Sequence, residues 1–186
     1  NTVLNQLRTE LLAAAEPPAD RDELVTFIET ITSRDGVAGA RNMVDLCDLS
    51  GRFFFHPLTN GSASLKKVLP ALMQCSTTLR DLYSSEGYGP DSSLNLRGPV
   101  AWWQLKDGVA ADPYSLLPPL FDDIDAEEQA ALDESLPEEL RDGGAAMVAY
   151  ARLQVEDLSD ATRQSIERGL LHYCELDTLA MAMVVQ

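Results

Sequence analysis

Tyr173 and Asp177 stand one helical turn apart in the stretch Leu171-His172-Tyr173-Cys174-Glu175-Leu176-Asp177. On a helix, side chains four positions apart have β-carbons about 5–6 Å from each other. A carboxylate can serve as a ligand for a hard cation, and a phenol beside a metal-bound carboxylate can hold or orient an attacking water. The Tyr-x-x-x-Asp spacing is weak evidence alone; its placement says more. Projected at about 100° per residue, Asp177 falls within a stripe of Arg163, Ile166, Leu170, Tyr173, Cys174, Ala180, Met181 and Val184. Gln164, Arg168, Glu175 and Gln186 gather on the opposite side. This pattern predicts that Asp177 faces the core, where an unpaired carboxylate is costly. A cationic side chain, backbone donors or a metal ion must compensate. A core tyrosine beside a carboxylate salt-bridged to an arginine is the plain alternative, and both readings stay open here. His172 also fits a His-x-x-x-x-Asp spacing, but it projects about 140° from Asp177 against about 40° for Tyr173. Tyr173 is therefore the expected partner; an irregular helix start near His172 would reverse the choice.

The elements that must carry these residues are mostly helical. Leu4, Leu7, Leu11 and Leu12 repeat at helical spacing until Glu16-Pro17-Pro18 stops them. A second helix follows Asp20-Arg21-Asp22-Glu23, with Leu24, Phe27, Ile28 and Ile31 on one face, and Asp35-Gly36 breaks the chain. Asn42 to Cys47 reads as a short buried strand, and Phe53-Phe54-Phe55 as another extended piece ending at His56-Pro57. Asn60-Gly61-Ser62 is a turn and cap signal for a helix from about Ser64 to Gln74. Ser84 to Pro99 is a long loop rich in Gly, Ser, Pro and Asn. It opens an expected insertion, 84–141, that continues through Trp102-Trp103 and Pro118-Pro119. Helical patterning returns at Asp142-Gly143-Gly144, with Ala146, Val148, Ala149 and Leu153. A last helix runs from near Ser159-Asp160 to the chain end.

The 186 residues carry a formal charge of −16, which argues against a generic basic nucleic-acid surface. Much of it is local: ten acids and one base lie between Phe121 and Asp142. A solvated insertion is the leading reading of that run, and a DNA-mimicking or partner-binding surface the lesser one. Cys47, Cys75 and Cys174 are odd in number, widely spaced and set among apolar residues, which suggests reduced thiols and a cytoplasmic setting. No window approaches the roughly 20 uninterrupted apolar residues of a membrane span, and no signal-peptide pattern is seen. The chain opens on Asn1 and stops inside the apolar run Met181 to Val185, so it reads as a piece of a longer protein.

Weaker candidates lie upstream. Asp45, alternating with Met43, Cys47 and Leu49, either supports the site from behind or caps local backbone. Lys66 and Lys67, beside a helix start, are candidate phosphate contacts or ordinary surface lysines. Trp102 and Trp103 either stack on bases or pack the insertion onto the core. His56 reads as structural, and Asp142-Gly143 as a helix cap.

Taken in order, Val44-Asp45-Leu46, Asn60-Gly61-Ser62-Ala63-Ser64-Leu65-Lys66-Lys67-Val68-Leu69-Pro70-Ala71-Leu72, Asp142-Gly143-Gly144-Ala145-Ala146 with Tyr150 and Leu153, and Leu171 to Met181 resemble the bacterial family known as domain of unknown function 2779. The resemblance spares only the Ser84–Arg141 region. That family looks like a divergent, DnaQ-like member of the DEDD exonucleases. The resemblance implies an α/β, ribonuclease H-like exonuclease fold, here a mostly helical C-terminal part with two or three short strands. It also implies a 3′→5′ exonuclease-like activity on DNA or RNA, with Mg²⁺ or Mn²⁺ as cofactor. In such enzymes four carboxylates from three motifs hold two metals. Only the third motif is found here, so Asp177 is the expected metal ligand and Tyr173 the water-positioning residue, with His172 and Asp45 as supporting candidates. By itself the chain is expected to be inactive. A catalytically inactive interaction module on the same fold is the alternative, and oligomeric state is left open.

Overall fold

The computed structural model describes residues 1–85, 87–88, 93–96, 98–119 and 143–186. The acidic run 122–142, including the Asp142 cap expected beside Gly143, lies outside the described residues. The chain divides into two compact units, 1–49 and 50–186.

In the first unit, α1 (Thr2–Ala13) and α2 (Arg21–Ile31) pair, and the strands β1 (Ser33–Arg34) and β2 (Val37–Ala38) form an antiparallel hairpin. The core is thin. Ile28 and Thr32 are buried, whereas α1 buries none of its residues and Phe27 is 52% exposed. Asp35 and Gly36, expected only as a break, both take positive φ (52° and 81°), as a two-residue hairpin turn requires. The strand expected over 42–47 is not formed. Asp45 instead starts α3 (Leu46–Phe53), its Oδ1 accepting the backbone N–H of Cys47 at 2.9 Å and of Asp48 at 3.1 Å. Two satisfied N–H groups favour the helix start. With Met43, Val44 and Cys47 exposed, no burial rewards a strand. Phe53 accordingly ends α3 rather than extending.

The second unit holds the main core. A 3-10 turn (Pro57–Thr59) leads through Asn60 and Gly61, both left-handed (φ 48° and 76°), into α4 (Leu65–Cys75), close to the expected span. Then come α5 (Thr77–Tyr83), the hairpin β3 (Leu105–Lys106) and β4 (Val109–Ala110), a 3-10 turn (Pro113–Leu116), α6 (Gly143–Val155) and the 26-residue α7 (Asp160–Val185). Ser159 caps α7, its Oγ accepting Thr162 N–H at 3.1 Å. Helix α7 packs on both α4 and α6. Among the described residues the architecture is thus mostly helical with two small antiparallel strand pairs, and none of these short strands lies at the expected places.

The described part of the expected insertion is built into this core. Trp102 is 1% exposed, and Trp103 Nε1 donates to the Met73 carbonyl at 2.7 Å. Both tryptophans therefore pack this segment onto the core, Trp102 fully buried and Trp103 partly buried. Tyr114, also 1% exposed, joins Leu69, Met73, Ile166, Tyr173, Leu176 and Ala180 in one apolar cluster. His56 is structural: its Nδ1 accepts Leu58 N–H at 3.3 Å and its ring stacks on Phe54. The three cysteines, expected among apolar neighbours, are all exposed and unpaired.

Candidate functional site around Asp177

Helix α7 presents Asp177 differently from the sequence projection. Its buried residues are Thr162, Ser165, Ile166, His172, Tyr173, Leu176, Ala180 and Met183. That stripe is centred roughly 80° away from Asp177, so the carboxylate sits at its edge. Cys174 and Met181, placed by the projection on the core side, are exposed. The rotation follows from what α7 packs against. Beside α4 and α6, Tyr88 and Asn95 bond Glu175 and His172 on a flank of α7 that composition alone marks as polar. His172 is consequently as buried as Tyr173 (8% against 6%).

The two residues nevertheless belong to different places. The His172 ring Nε2 lies 3.0 Å from the Asn95 carbonyl. Nearby, Glu175 accepts from Tyr88 OH at 2.9 Å and Asn95 Nδ2 at 2.6 Å. Burial raises the Glu175 carboxyl, but hydrogen bonds from Ser93, Tyr88 and Asn95 outweigh it, leaving the net shift downward. Burial, then the bond to Glu175, pushes Tyr88 up to about 12. Trp102 packs edge-on against Tyr88, its Nε1 buried with no partner among the described residues. This cluster fastens the loop to α7.

Tyr173 turns the other way, toward Asp177. There the compensation anticipated for a half-buried carboxylate is found: Lys66 Nζ donates to Asp177 Oδ1 at 3.0 Å, and Tyr114 OH donates to the same oxygen at 2.5 Å. The side chains of Lys66 and Asp177 keep 27% and 38% of their exposure. Lys66 Nζ also lies over two aromatic rings, 2.8 Å from the Tyr114 centroid and 4.3 Å from that of Tyr173. Electron-rich ring faces attract an ammonium, so Lys66 is held by one carboxylate and two phenols. The tyrosine rings are 5.9 Å apart and tilted by 48°. Burial, followed by the hydrogen bond to Asp177, drives the Tyr114 phenol far above its ordinary value. Tyr114 is therefore a proton donor to Asp177 and not a base. The Tyr173 hydroxyl reaches the start of α6, where a β-carbon at Gly143 would lie 3.8 Å from it.

Local structure explains the positions. Ser64 and the Asn60-Gly61 turn set the start of α4, so Lys66 falls in its first turn. Pro70 sits inside α4 and has no N–H, which deprives the Lys66 carbonyl of its helical partner four residues on. Lys66, a candidate phosphate contact in the sequence, thus points its ammonium at Asp177; Lys67 is exposed. Asp45 serves as the α3 cap described above. Tyr114 is the residue that sequence reasoning missed. Its only local signal is Asp112-Pro113, a cap and turn pair that fixes the following tyrosine, with Asp112 Oδ1 accepting Tyr114 N–H at 3.1 Å.

Among the described residues, no group of three or more His, Cys, Asp or Glu side chains is arranged to hold a metal ion. The single carboxylate Asp177, with an ammonium and a phenol already on one oxygen, does not by itself fit a two-metal centre, which needs several carboxylates. No described helix is long and apolar enough to cross a membrane. No protein-family model, curated protein or solved structure matches the chain.

Proposed function

We propose that this chain is part of a 3′→5′ exonuclease-like, ribonuclease H-like nuclease domain acting on phosphodiester bonds, with Asp177 and Tyr173 as residues of its third motif. The observation that carries this reading is convergence. Three sequence stretches that resemble the same family meet at one point: Lys66 from Asn60–Leu72 bonds Asp177 from Leu171–Met181 across 111 residues, and Gly143 lies against the Tyr173 hydroxyl. Polar residues from separated stretches gathered at a half-exposed carboxylate are what a site needs; a purely packed core does not require them. Mg²⁺ or Mn²⁺, the expected cofactors, would require carboxylates beyond the one that α7 supplies. What this chain contributes is an oriented carboxylate, a phenol beside it, and a cation that balances its charge.

One observation favours the second reading, a non-catalytic nucleic-acid or protein interaction module on the same fold. The cation beside Asp177 is a lysine, so the carboxylate is compensated without any metal. The readings separate on the natural protein that contains this chain. With Mg²⁺ or Mn²⁺ it is expected to release nucleoside monophosphates from 3′-labelled DNA or RNA. Asp177→Asn should abolish the release and Tyr173→Phe should slow it, while the isolated chain stays inactive. A folded natural protein that digests neither substrate with either metal would establish the module instead.

A further inference from the structure

We infer that a pocket at the end of α3 binds a single nucleobase. The inference deepens the nuclease reading with a base-binding subsite that uses none of the residues around Asp177. It rests on that reading only for the source of the base. The pocket has a volume of about 320 Å³, and Ser50, Phe54, Phe55, His56, Gly61 and Ala63 are among its lining residues. Ligand pockets span roughly 300–1,000 Å³, so this one suits a single ring system and is too small for a docked helix.

The lining defines what fits. Phe54 and His56 stack with ring centroids 6.2 Å apart and planes 8° from parallel, so their faces share one orientation. Phe55 beside them is 82% exposed, an aromatic surface that the fold leaves uncovered. Flat π-faces take a flat partner, and every base has one. His56 adds a directed donor. Its Nδ1 accepts Leu58 N–H, which in the neutral ring leaves the proton on Nε2. This holds the turn and leaves Nε2 without a partner among the described residues. Ser50 adds a second polar group. It is only 9% exposed, yet its Oγ bonds to nothing among the described residues and is not sealed from solvent. A buried hydroxyl that holds nothing in the protein is unfavourable until a ligand meets it. A hydrocarbon ring would fill the space and leave both polar groups unmet. A base edge carries acceptors and donors side by side, which answers the His56 Nε2–H and the Ser50 hydroxyl together. On the Gly61 side a β-carbon would meet nothing within 4 Å, so the sugar has an open way out.

Saturation-transfer difference NMR on the 186-residue chain tests this with adenosine, guanosine, cytidine and uridine. No hydrolysis is involved, so a failure here is distinguishable from failure of the nuclease reading, which is judged on nucleotide release. Toluene is the plain-ring control. At least one nucleoside should bind at millimolar concentration and more tightly than toluene. A single-stranded tetranucleotide with phosphorothioate linkages separates the sources of the base: tighter binding than the nucleoside assigns the pocket to a strand, equal binding to a free nucleotide. Phe54→Leu should weaken nucleoside binding about fivefold or more, the low end of a base–aromatic stack. Ser50→Ala should weaken it about threefold, as for one neutral hydrogen bond. Ser50→Ala is also the variant that keeps the fold, and its denaturant midpoint should equal or exceed that of wild type. Nucleoside binding that is unchanged in folded Ser50→Ala overturns the inference. So does toluene binding more tightly than every nucleoside, or no saturation transfer to any nucleoside or to the tetranucleotide.

Discussion

Removing either partner of the Lys66–Asp177 pair tests whether the site is an energetic unit or an incidental contact. The relevant cycle compares wild type, Lys66→Met, Asp177→Asn and the double variant. Fully exposed ion pairs couple by about 0.2–1 kcal/mol, whereas breaking a buried one costs about 3–5 kcal/mol. With side chains 27% and 38% exposed, a 3.0 Å bond and ring faces on the cation, this pair falls between those limits. A coupling of about 1–2 kcal/mol is expected, the range of a hydrogen bond to a charged group after partial screening. Asp177→Asn keeps an acceptor for Tyr114 OH, so its own cost should come mainly from the orphaned ammonium. Urea unfolding followed by tryptophan fluorescence is the suitable assay. Both tryptophans, Trp102 and Trp103, lie in the 50–186 unit that contains the site, so unfolding of the first unit does not contaminate the signal. A coupling below about 0.3 kcal/mol, within the ordinary error of additivity, would refute the claim that these residues act together.

Three further outcomes are expected. The downward-shifted Glu175 carboxyl stabilises the fold above its unfolded value of about 4.3, and that contribution is lost as pH falls through the lower folded value. The stability gap between wild type and Glu175→Gln should therefore shrink on acidification, as read from denaturant midpoints across an acid pH series. Trp103→Phe deletes the 2.7 Å bond to the Met73 carbonyl and should cost about 1 kcal/mol in the same unfolding assay with Trp102 as probe. Gly39→Ala would drive a β-carbon into the backbone carbonyl oxygens of Glu29 and Thr30. The backbone must shift, so a loss of about 1–3 kcal/mol is expected, confined to residues 1–49 when followed by hydrogen exchange.

Local signals in the sequence located most helices because they depend on neighbours only. The Asn60-Gly61 turn, the Ser159 cap and the spacing of Ala149 and Leu153 mark α4, α7 and α6 within a residue or two of where they lie. The hairpins at Asp35-Gly36 and Asp107-Gly108 were equally legible, since both pairs take positive φ as that dipeptide favours. The strands beside them are harder to read, because two residues leave almost no alternating pattern. Asn42–Cys47 misled for the opposite reason. Its apolar content suggested burial, yet a single carboxylate, Asp45, decided for a helix start.

The sequence by itself determined that Tyr173 and Asp177 share one long helix with a carboxylate needing compensation, because helical periodicity is a property of the local chain. Which group compensates, and which way the helix is turned, belonged to tertiary structure. Lys66 and Tyr114 reach Asp177 across 111 and 63 residues, a pairing set by how α4 and the Pro113–Leu116 turn pack on α7. That same packing rotates the buried stripe off Asp177 and buries His172 beside Tyr173. Periodicity states that a face is apolar; only the neighbours decide how much of its edge is covered.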